Sequence, residues 1–297
     1  MKHFLSIEGC HQKEILELLN SARAFKADRR YGANLLAGQS WVLIFSKPST
    51  RTRISFEVGL REVGGGVLFL AQQDIQLGRG EPIKDTARVL GRMIHGAVIR
   101  TFAQHDVEDF AHFSKVPTIN ALTDEEHPCQ IIADLFTISE RRDLQDIKVC
   151  FVGDGDCNVA RSWAWAAEHL GFELRIATPA RYALSEEIRS KLKSRKIILT
   201  QSPEDAAAGA DVMYTDVWVS MGKEAEMQDR LAEFAPYQIN ERLLQLARPG
   251  ALVMHCLPAY RGKEITEAVL EAHADTIFDQ AENRLHAQKA IVAALLQ

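Results

Sequence analysis

Residues 41–57 read WVLIFSKPSTRTRISFE. Five apolar residues, Trp41 to Phe45, form a continuous run of the kind that a strand buried on both faces requires. The run empties at once into Ser49, Thr50, Arg51, Thr52 and Arg53, and the chain then turns into a helical pattern, RISFEVGLREVG. A strand that ends in hydroxyls and guanidinium groups at the start of a helix can be a solvated loop or a seat for an anion. Hydroxyls and main-chain N–H groups at a helix start receive phosphate oxygens, helped by the helix dipole. Arg51 adds a planar fork suited to the same group. The stretch has no G-K-[ST], so it is not a Walker A loop.

The pattern continues on both sides of this stretch. Ile15, Leu18, Leu19, Ala22 and Phe25 lie on one helical face. After the first strand and helix come the strand GVLFLA (66–71), the helix DTARVLGRMIH (85–95), the strand AVIRT (97–101) and the short strand PTINAL (117–122). The helix PCQIIADLFTISERR (128–142) closes this series. A second series runs KVCFVGD (148–154), NVARSWAWAAEHLG (158–171), ELRIAT (173–178), SEEIRSKLKSR (185–195), DVMYTDV (211–217), NERLLQLA (240–247), ALVMHC (251–256) and ITEAVLEAH (265–273). It ends in a final helix, ENRLHAQKAIVAALL (282–296).

Strand and helix alternating twice over predict an α/β fold of two domains, each a mainly parallel sheet flanked by helices, with a C-terminal helix. The charged stretch Arg141–Asp146 is the expected seam. It gives domains 1–140 and 141–297, with the last helix free to pack back on the first. A chain of 297 residues has room for a core in each.

The net charge of −5 excludes a general nucleic-acid surface, so any anion site must be local. No apolar run reaches the length of a membrane span, and the start MKHFLSIEGCHQKE has no apolar core of a signal peptide. The five cysteines, Cys10, Cys129, Cys150, Cys157 and Cys256, are scattered and never form a C-x-x-C pair. Free thiols in a reducing cytoplasm fit this better than a disulfide frame or a zinc site. The ten histidines show no H-E-x-x-H spacing, and no metal is expected.

In parallel sheets ligands bind beyond the carboxyl ends of strands. The strand at 97–101 ends at Arg100-Thr101, and PTINAL leads to His127-Pro128-Cys129-Gln130. Pro128 suits the first position of a helix, so His127 would cap that helix and Gln130 would face the same way one turn on. With Arg100 these make three donors for a carbonyl that must become an oxyanion.

S-T-R-T-R followed by H-P-x-Q resembles the aspartate/ornithine carbamoyltransferase family over nearly the whole chain. The later stretches D-x-W-x-S-M-G (216–222), H-C-L-P (255–258) and E-N-R-L-H (282–286) are similar to its ornithine-using branch. The resemblance implies transfer of the carbamoyl group of carbamoyl phosphate to the side-chain amine of L-ornithine, giving L-citrulline and phosphate without a cofactor. It implies that Ser49, Thr50, Arg51 and Thr52 hold the phosphate, and that Arg100, His127 and Gln130 hold the carbonyl oxygen. Asn158, Asp216, Ser220 and Met221 would hold the amino acid, Cys256 and Leu257 would meet the reacting amine, and Arg284 the transition state. Gln76 resembles a loop residue lent to a neighbouring subunit, which implies a homotrimer. Arg53 is expected in a structural ion pair instead.

One turn departs from the family pattern. In Gly153-Asp154-Gly155-Asp156-Cys157-Asn158, Cys157 stands where the first of two adjacent asparagines is common. The same G-x-G could open a dinucleotide site, but Ala160 and Arg161 follow Val159 with no third glycine. The next strand, ELRIATPA, also ends in no acid to grip a ribose. A non-catalytic phosphate or amino-acid sensor would leave His127, Gln130 and Cys256 without work.

Overall fold

The structure is a computed structural model and describes residues 1–71, 80–220, 222 and 224–296. The chain divides into two compact units, Met1–Phe136 with Glu282–Gln297, and Thr137–Ala281. The expected division fell at 140, with the last helix free to pack back on the first domain. Here residues 137–140 group with the second unit and the C-terminal residues with the first.

Unit 1 opens with α1 (Gln12–Ala27), whose face Ile15, Leu18, Leu19, Ala22 and Phe25 is buried as its spacing predicts. Then come β1 (Ser40–Phe45), α2 (Thr50–Glu62), β2 (Gly66–Ala71), α3 (Ile83–Leu90), β3 (Gly96–Arg100), α4 (Gln104–Ser114), β4 (Thr118–Leu122) and α5 (Pro128–Ser139). The strands form one parallel sheet in the order β2-β1-β3-β4. Val42 and Ile44 of β1 and Ala97 and Ile99 of β3 pack with Val107 and Phe110 of α4. Trp41 through Phe45 are all buried, which explains why β1 is apolar without alternation. The edge strand β2 is half-exposed.

Unit 2 runs β5 (Lys148–Val152), α6 (Asn158–Leu170), β6 (Glu173–Ala177), α7 (Glu186–Lys191), β7 (Ile197–Thr200), α8 (Pro203–Ala207), β8 (Val212–Thr215), α9 (Met227–Phe234), α10 (Glu241–Leu244), β9 (Leu252–His255) and α11 (Glu267–Ala272). Its sheet is also parallel, in the order β7-β6-β5-β8-β9. The last helix, α12 (Ala274–Ala294), begins well before the expected Glu282 and runs across the division into unit 1.

Several elements differ from expectation. The helix expected over 85–95 ends at Leu90: a Cβ at Gly91 would lie 2.2 Å from the Ser114 carbonyl oxygen, so the backbone there is pressed against the end of α4. Helices α4, α8 and α9 and the edge strand β7 were not anticipated.

In each sheet the strand order reverses once, between β1 and β3 in unit 1 and between β5 and β8 in unit 2. Helices leaving such a pair on opposite faces open a crevice beyond the strand ends, the usual ligand position in this architecture. Ser49–Thr52 and Arg100 follow β1 and close β3. The segments Gly153–Asn158 and Asp216 follow β5 and β8.

Candidate active-site residues

At the reversal point of unit 1, Ser49 caps α2. Its Oγ accepts from the Thr52 N–H at 3.3 Å and donates to Thr52 Oγ1 at 2.9 Å. Thr50 is exposed and Arg51 half-buried, and among the described residues no carboxylate pairs with Arg51. Arg53 behaves differently. Its guanidinium lies 3.6 Å from the centre of the Phe69 ring and 3.6 Å from the Glu57 carboxylate, so it is engaged within the unit.

Thr52 is buried and is reached from far along the chain: Arg284 Nη2 donates to its Oγ1 at 2.9 Å. Arg284 Nη1 donates to Gln130 Oε1 at 3.0 Å, and Gln130 Nε2 donates to Asp134 Oδ1 at 2.8 Å. A carboxamide carries two N–H donors, so Gln130 keeps one beyond the bond to Asp134. The His127 carbonyl accepts from the N–H groups of Gln130 (3.1 Å) and Ile131 (3.3 Å), which starts α5 at Pro128. Burial, with Arg284 and Arg100 adding like charge, holds the His127 imidazole well below its ordinary pKa. A neutral imidazole still offers one N–H donor. Arg100, also buried, closes β3 where the pairing with β4 shifts register. Burial strengthens whatever hydrogen bonds these groups make.

In unit 2, Gly153 leaves β5 with φ +140, a conformation that side chains disfavour. A Cβ at Gly155 would come within 2.9 Å of Thr178. Cys157 caps α6 by accepting the Ala160 N–H on Sγ at 3.4 Å, and Asn158 is the first residue of that helix. At the end of β8, Asp216 Oδ1 accepts from the Val217 N–H at 2.7 Å and from the Cys256 thiol at 2.9 Å. Burial pushes the Asp216 carboxyl above its ordinary value, against the opposing pull of His255, the thiol and the Val217 N–H.

Asp216, His255 and Cys256 bring ligand-type atoms within 4.8 Å of one another, the composition of a metal site. Each of the three is also engaged in hydrogen bonds within unit 2. His255 Nδ1 accepts the Leu257 N–H at 2.8 Å, so Nε2 is left to donate to Glu264 at 3.2 Å. Leu257, at φ +57 before a cis bond to Pro258, folds back to make that contact. Ser220 is half-buried in the loop after β8. Gln76 and Met221, both expected in the site, lie outside the described residues.

Three residues that sequence reasoning missed support these groups. Arg230, buried on α9, donates to Asp154 at 2.7 Å, to Glu226 at 2.9 Å and to the Trp218 carbonyl at 3.0 Å. It thus ties the turn after β5 to the loop after β8. Lys47, buried beside the anion loop, pairs with Asp124 and lies 4.3 Å from the Phe102 ring centre. Glu126, next to His127, binds the N-terminal segment.

Unit 1 thus carries buried polar groups at its sheet reversal, and unit 2 carries an acid–thiol pair at its own. Comparisons with known proteins sharpen the class. Residues 2–140 match the aspartate/ornithine carbamoyltransferase carbamoyl-P binding domain, and residues 145–295 match the Asp/Orn binding domain of the same family. An ornithine carbamoyltransferase of Akkermansia muciniphila is 58% identical over 99% of this chain and 98% of its own. That of Archaeoglobus fulgidus is 48% identical over 100% and 98%. The crystal structure of anabolic ornithine carbamoyltransferase from Campylobacter jejuni superposes with a TM-score of 0.94 at 42% identity, covering 99% of both chains. The Pyrococcus furiosus enzyme gives 0.93 at 43% identity, covering 99% of this chain and 97% of its own. This chain belongs to the aspartate/ornithine carbamoyltransferase family.

Proposed function

We propose that the chain transfers the carbamoyl group of carbamoyl phosphate to the side-chain amine of L-ornithine, yielding L-citrulline and inorganic phosphate. The observation that carries this reading is the buried chain Asp134–Gln130–Arg284–Thr52, which joins Gln130 and Arg284 to the Ser49–Thr52 turn. The relatives bearing the ornithine carbamoyltransferase name over nearly full length give its substrate.

In this reading Ser49, Thr50, Arg51 and Thr52 receive the phosphate, and Arg100, His127 and Gln130 the carbonyl oxygen. Asn158, Asp216, Ser220 and Met221 hold ornithine. Cys256 and Leu257 face the amine, and Arg284 attends the transition state. The neutral amine attacks the carbonyl carbon, a C–N bond forms, and the carbon–oxygen bond to phosphate breaks as the nitrogen sheds a proton. The donor is already activated, so no covalent enzyme intermediate is needed; orientation and charge stabilisation suffice.

The reading extends to arginine biosynthesis in the cytoplasm, in keeping with five free cysteines. It also extends to a homotrimer in which Gln76 serves a neighbour. Among the described residues no helix is long and apolar enough to cross a membrane.

The test is phosphate release from carbamoyl phosphate with ornithine, putrescine, aspartate or N-acetylornithine as acceptor. Ornithine should be preferred by a wide margin, because the other amines leave buried polar groups unpaired or repelled. Faster turnover of putrescine or N-acetylornithine would overturn the assignment. For the assembly, mixing inactive Gln76→Ala chains with inactive Arg51→Ala chains should restore activity.

A further inference from the structure

We infer that Glu126 is a positioning residue for His127, and that it makes the N-terminal segment 4–8 part of the support of the carbonyl-polarising group. The inference rests on the role proposed for His127.

Glu126 immediately precedes His127 and is only 4% exposed. Its two carboxylate oxygens each accept a main-chain N–H from the start of the chain, Oε2 from Ile7 at 2.7 Å and Oε1 from Glu8 at 3.1 Å. Hydrogen bonds to an ionised acceptor are among the stronger ones, and burial raises the penalty for losing them. The carboxylate therefore fixes the distance between this turn and the N-terminal segment.

That segment is itself held in register. Phe4 bridges to Ile119 of β4, with its N–H donating to the Thr118 carbonyl at 2.9 Å and its carbonyl accepting from Asn120 at 2.8 Å. The Leu5 carbonyl accepts from the side-chain amides of Asn120 (2.8 Å) and Gln104 (3.1 Å). Residues 4–8 thus continue β4's hydrogen bonding and end on Glu126.

The turn between β4 and α5 is closed from within as well. Thr123 N–H donates to the Glu126 carbonyl at 2.9 Å, and the Glu126 N–H donates to Thr123 Oγ1 at 3.1 Å. Asp124 pairs with Lys47 on the loop after β1. His127 follows with its carbonyl already committed to the first turn of α5. Its backbone is consequently gripped on both sides, by α5 after it and by Glu126 before it. That grip fixes where the His127 side chain leaves the backbone, and displacement by about 1 Å at a reacting centre can cost on the order of a hundredfold in rate.

The experiment compares the wild type with Glu126→Gln, which keeps the shape but turns one acceptor into a donor facing an N–H. Three quantities are measured: kcat with saturating substrates, the calorimetric dissociation constant of carbamoyl phosphate, and the imidazole ¹⁵N resonances of His127, assigned by their loss in His127→Asn. We expect kcat to fall about 10–100-fold, carbamoyl phosphate affinity to hold, and the His127 resonances to move. Glu126→Asp, which keeps the charge, should recover part of kcat, and it serves as the test variant if Glu126→Gln does not fold. Unmoved His127 resonances with full kcat, even at a lowered melting temperature, would reduce Glu126 to a structural anchor and overturn the inference. So would an equal loss of binding and turnover, since that marks collapse of the whole loop. If the wild type failed to carbamoylate ornithine, the functional assignment would fall, while the resonance comparison would still decide the role of Glu126.

Discussion

Arg284 and Thr52, separated by 232 positions in sequence, share a hydrogen bond of 2.9 Å in which the guanidinium donates to the hydroxyl. The C-terminal helix thereby reaches the first turn of the helix that Ser49 caps. Thr52→Val keeps the shape and removes the acceptor, leaving a buried guanidinium N–H unpaired. Stability should fall by about 1–3 kcal/mol, read from the denaturant midpoint, with turnover reduced as well. Thr52→Ser should restore most of both.

Arg51 and Arg53 stand two residues apart and should respond in opposite ways. Arg51 has no carboxylate partner among the described residues, whereas Arg53 is engaged with Glu57 and Phe69. Losing a charge-assisted bond worth about 1.5–3 kcal/mol, Arg51→Ala should weaken carbamoyl phosphate binding and turnover at least about tenfold. Arg53→Ala should leave kinetics intact and lower the melting temperature slightly. Carbamoyl phosphate affinity unchanged in a folded Arg51→Ala protein would remove the anion loop from the mechanism.

Asp216 carries a pH dependence of defined sign. Folding raises its carboxyl above the ordinary value through burial, so the folded chain still holds the proton at pH values where the unfolded chain has lost it. Its stability contribution is present below the ordinary carboxylate range and is lost as pH rises through the raised value. Asp216→Asn keeps an acceptor for the Val217 N–H and the Cys256 thiol without the buried charge. Its melting temperature should match the wild type in acid and exceed it at neutral pH, while kcat/KM for ornithine falls about 10–100-fold, the loss of a charged hydrogen bond. Equal melting temperatures at neutral pH would contradict the buried-charge account.

Arg230 should matter to stability and to ornithine together. Removing one member of a buried ion pair strands the other, at a cost of about 3–5 kcal/mol. Arg230→Leu should therefore destabilise unit 2 by that order, and Asp154→Leu added to it should recover part of the loss. In chains that remain folded, KM for ornithine should rise and KM for carbamoyl phosphate should hold, because Arg230 bonds the Trp218 carbonyl in the loop after β8.

The strand at 41–45 could be read from sequence because a strand covered on both faces has no alternation to confuse, and the polar run after it marks a strand end. Helix α4 was equally open to reading, since Val107, Phe110 and Ala111 are buried at helical spacing. Strand β7 is short, sits at a sheet edge and exposes Ile198, so its pattern is weak. The supporting charges have no local signature at all. Arg230 in MQDRLAEF reads as the solvated face of a helix, yet its partner Asp154 lies 76 positions away. Glu126 in TDEEH reads as a solvated turn, although both its oxygens are spent on the start of the chain. Such roles exist only once the topology has brought distant segments together.

The division of the chain, with Glu282–Gln297 belonging to the unit that begins at Met1, has a consequence for synthesis. A ribosome delivers every residue of unit 2 before it delivers the last segment of unit 1. The half begun first is completed after the second, and Thr52 and Gln130 wait for Arg284 until helix α12 has been translated. A nascent chain stalled before that point carries a complete second unit and an unfinished first one, so catalytic competence has to wait for the segment that carries Arg284.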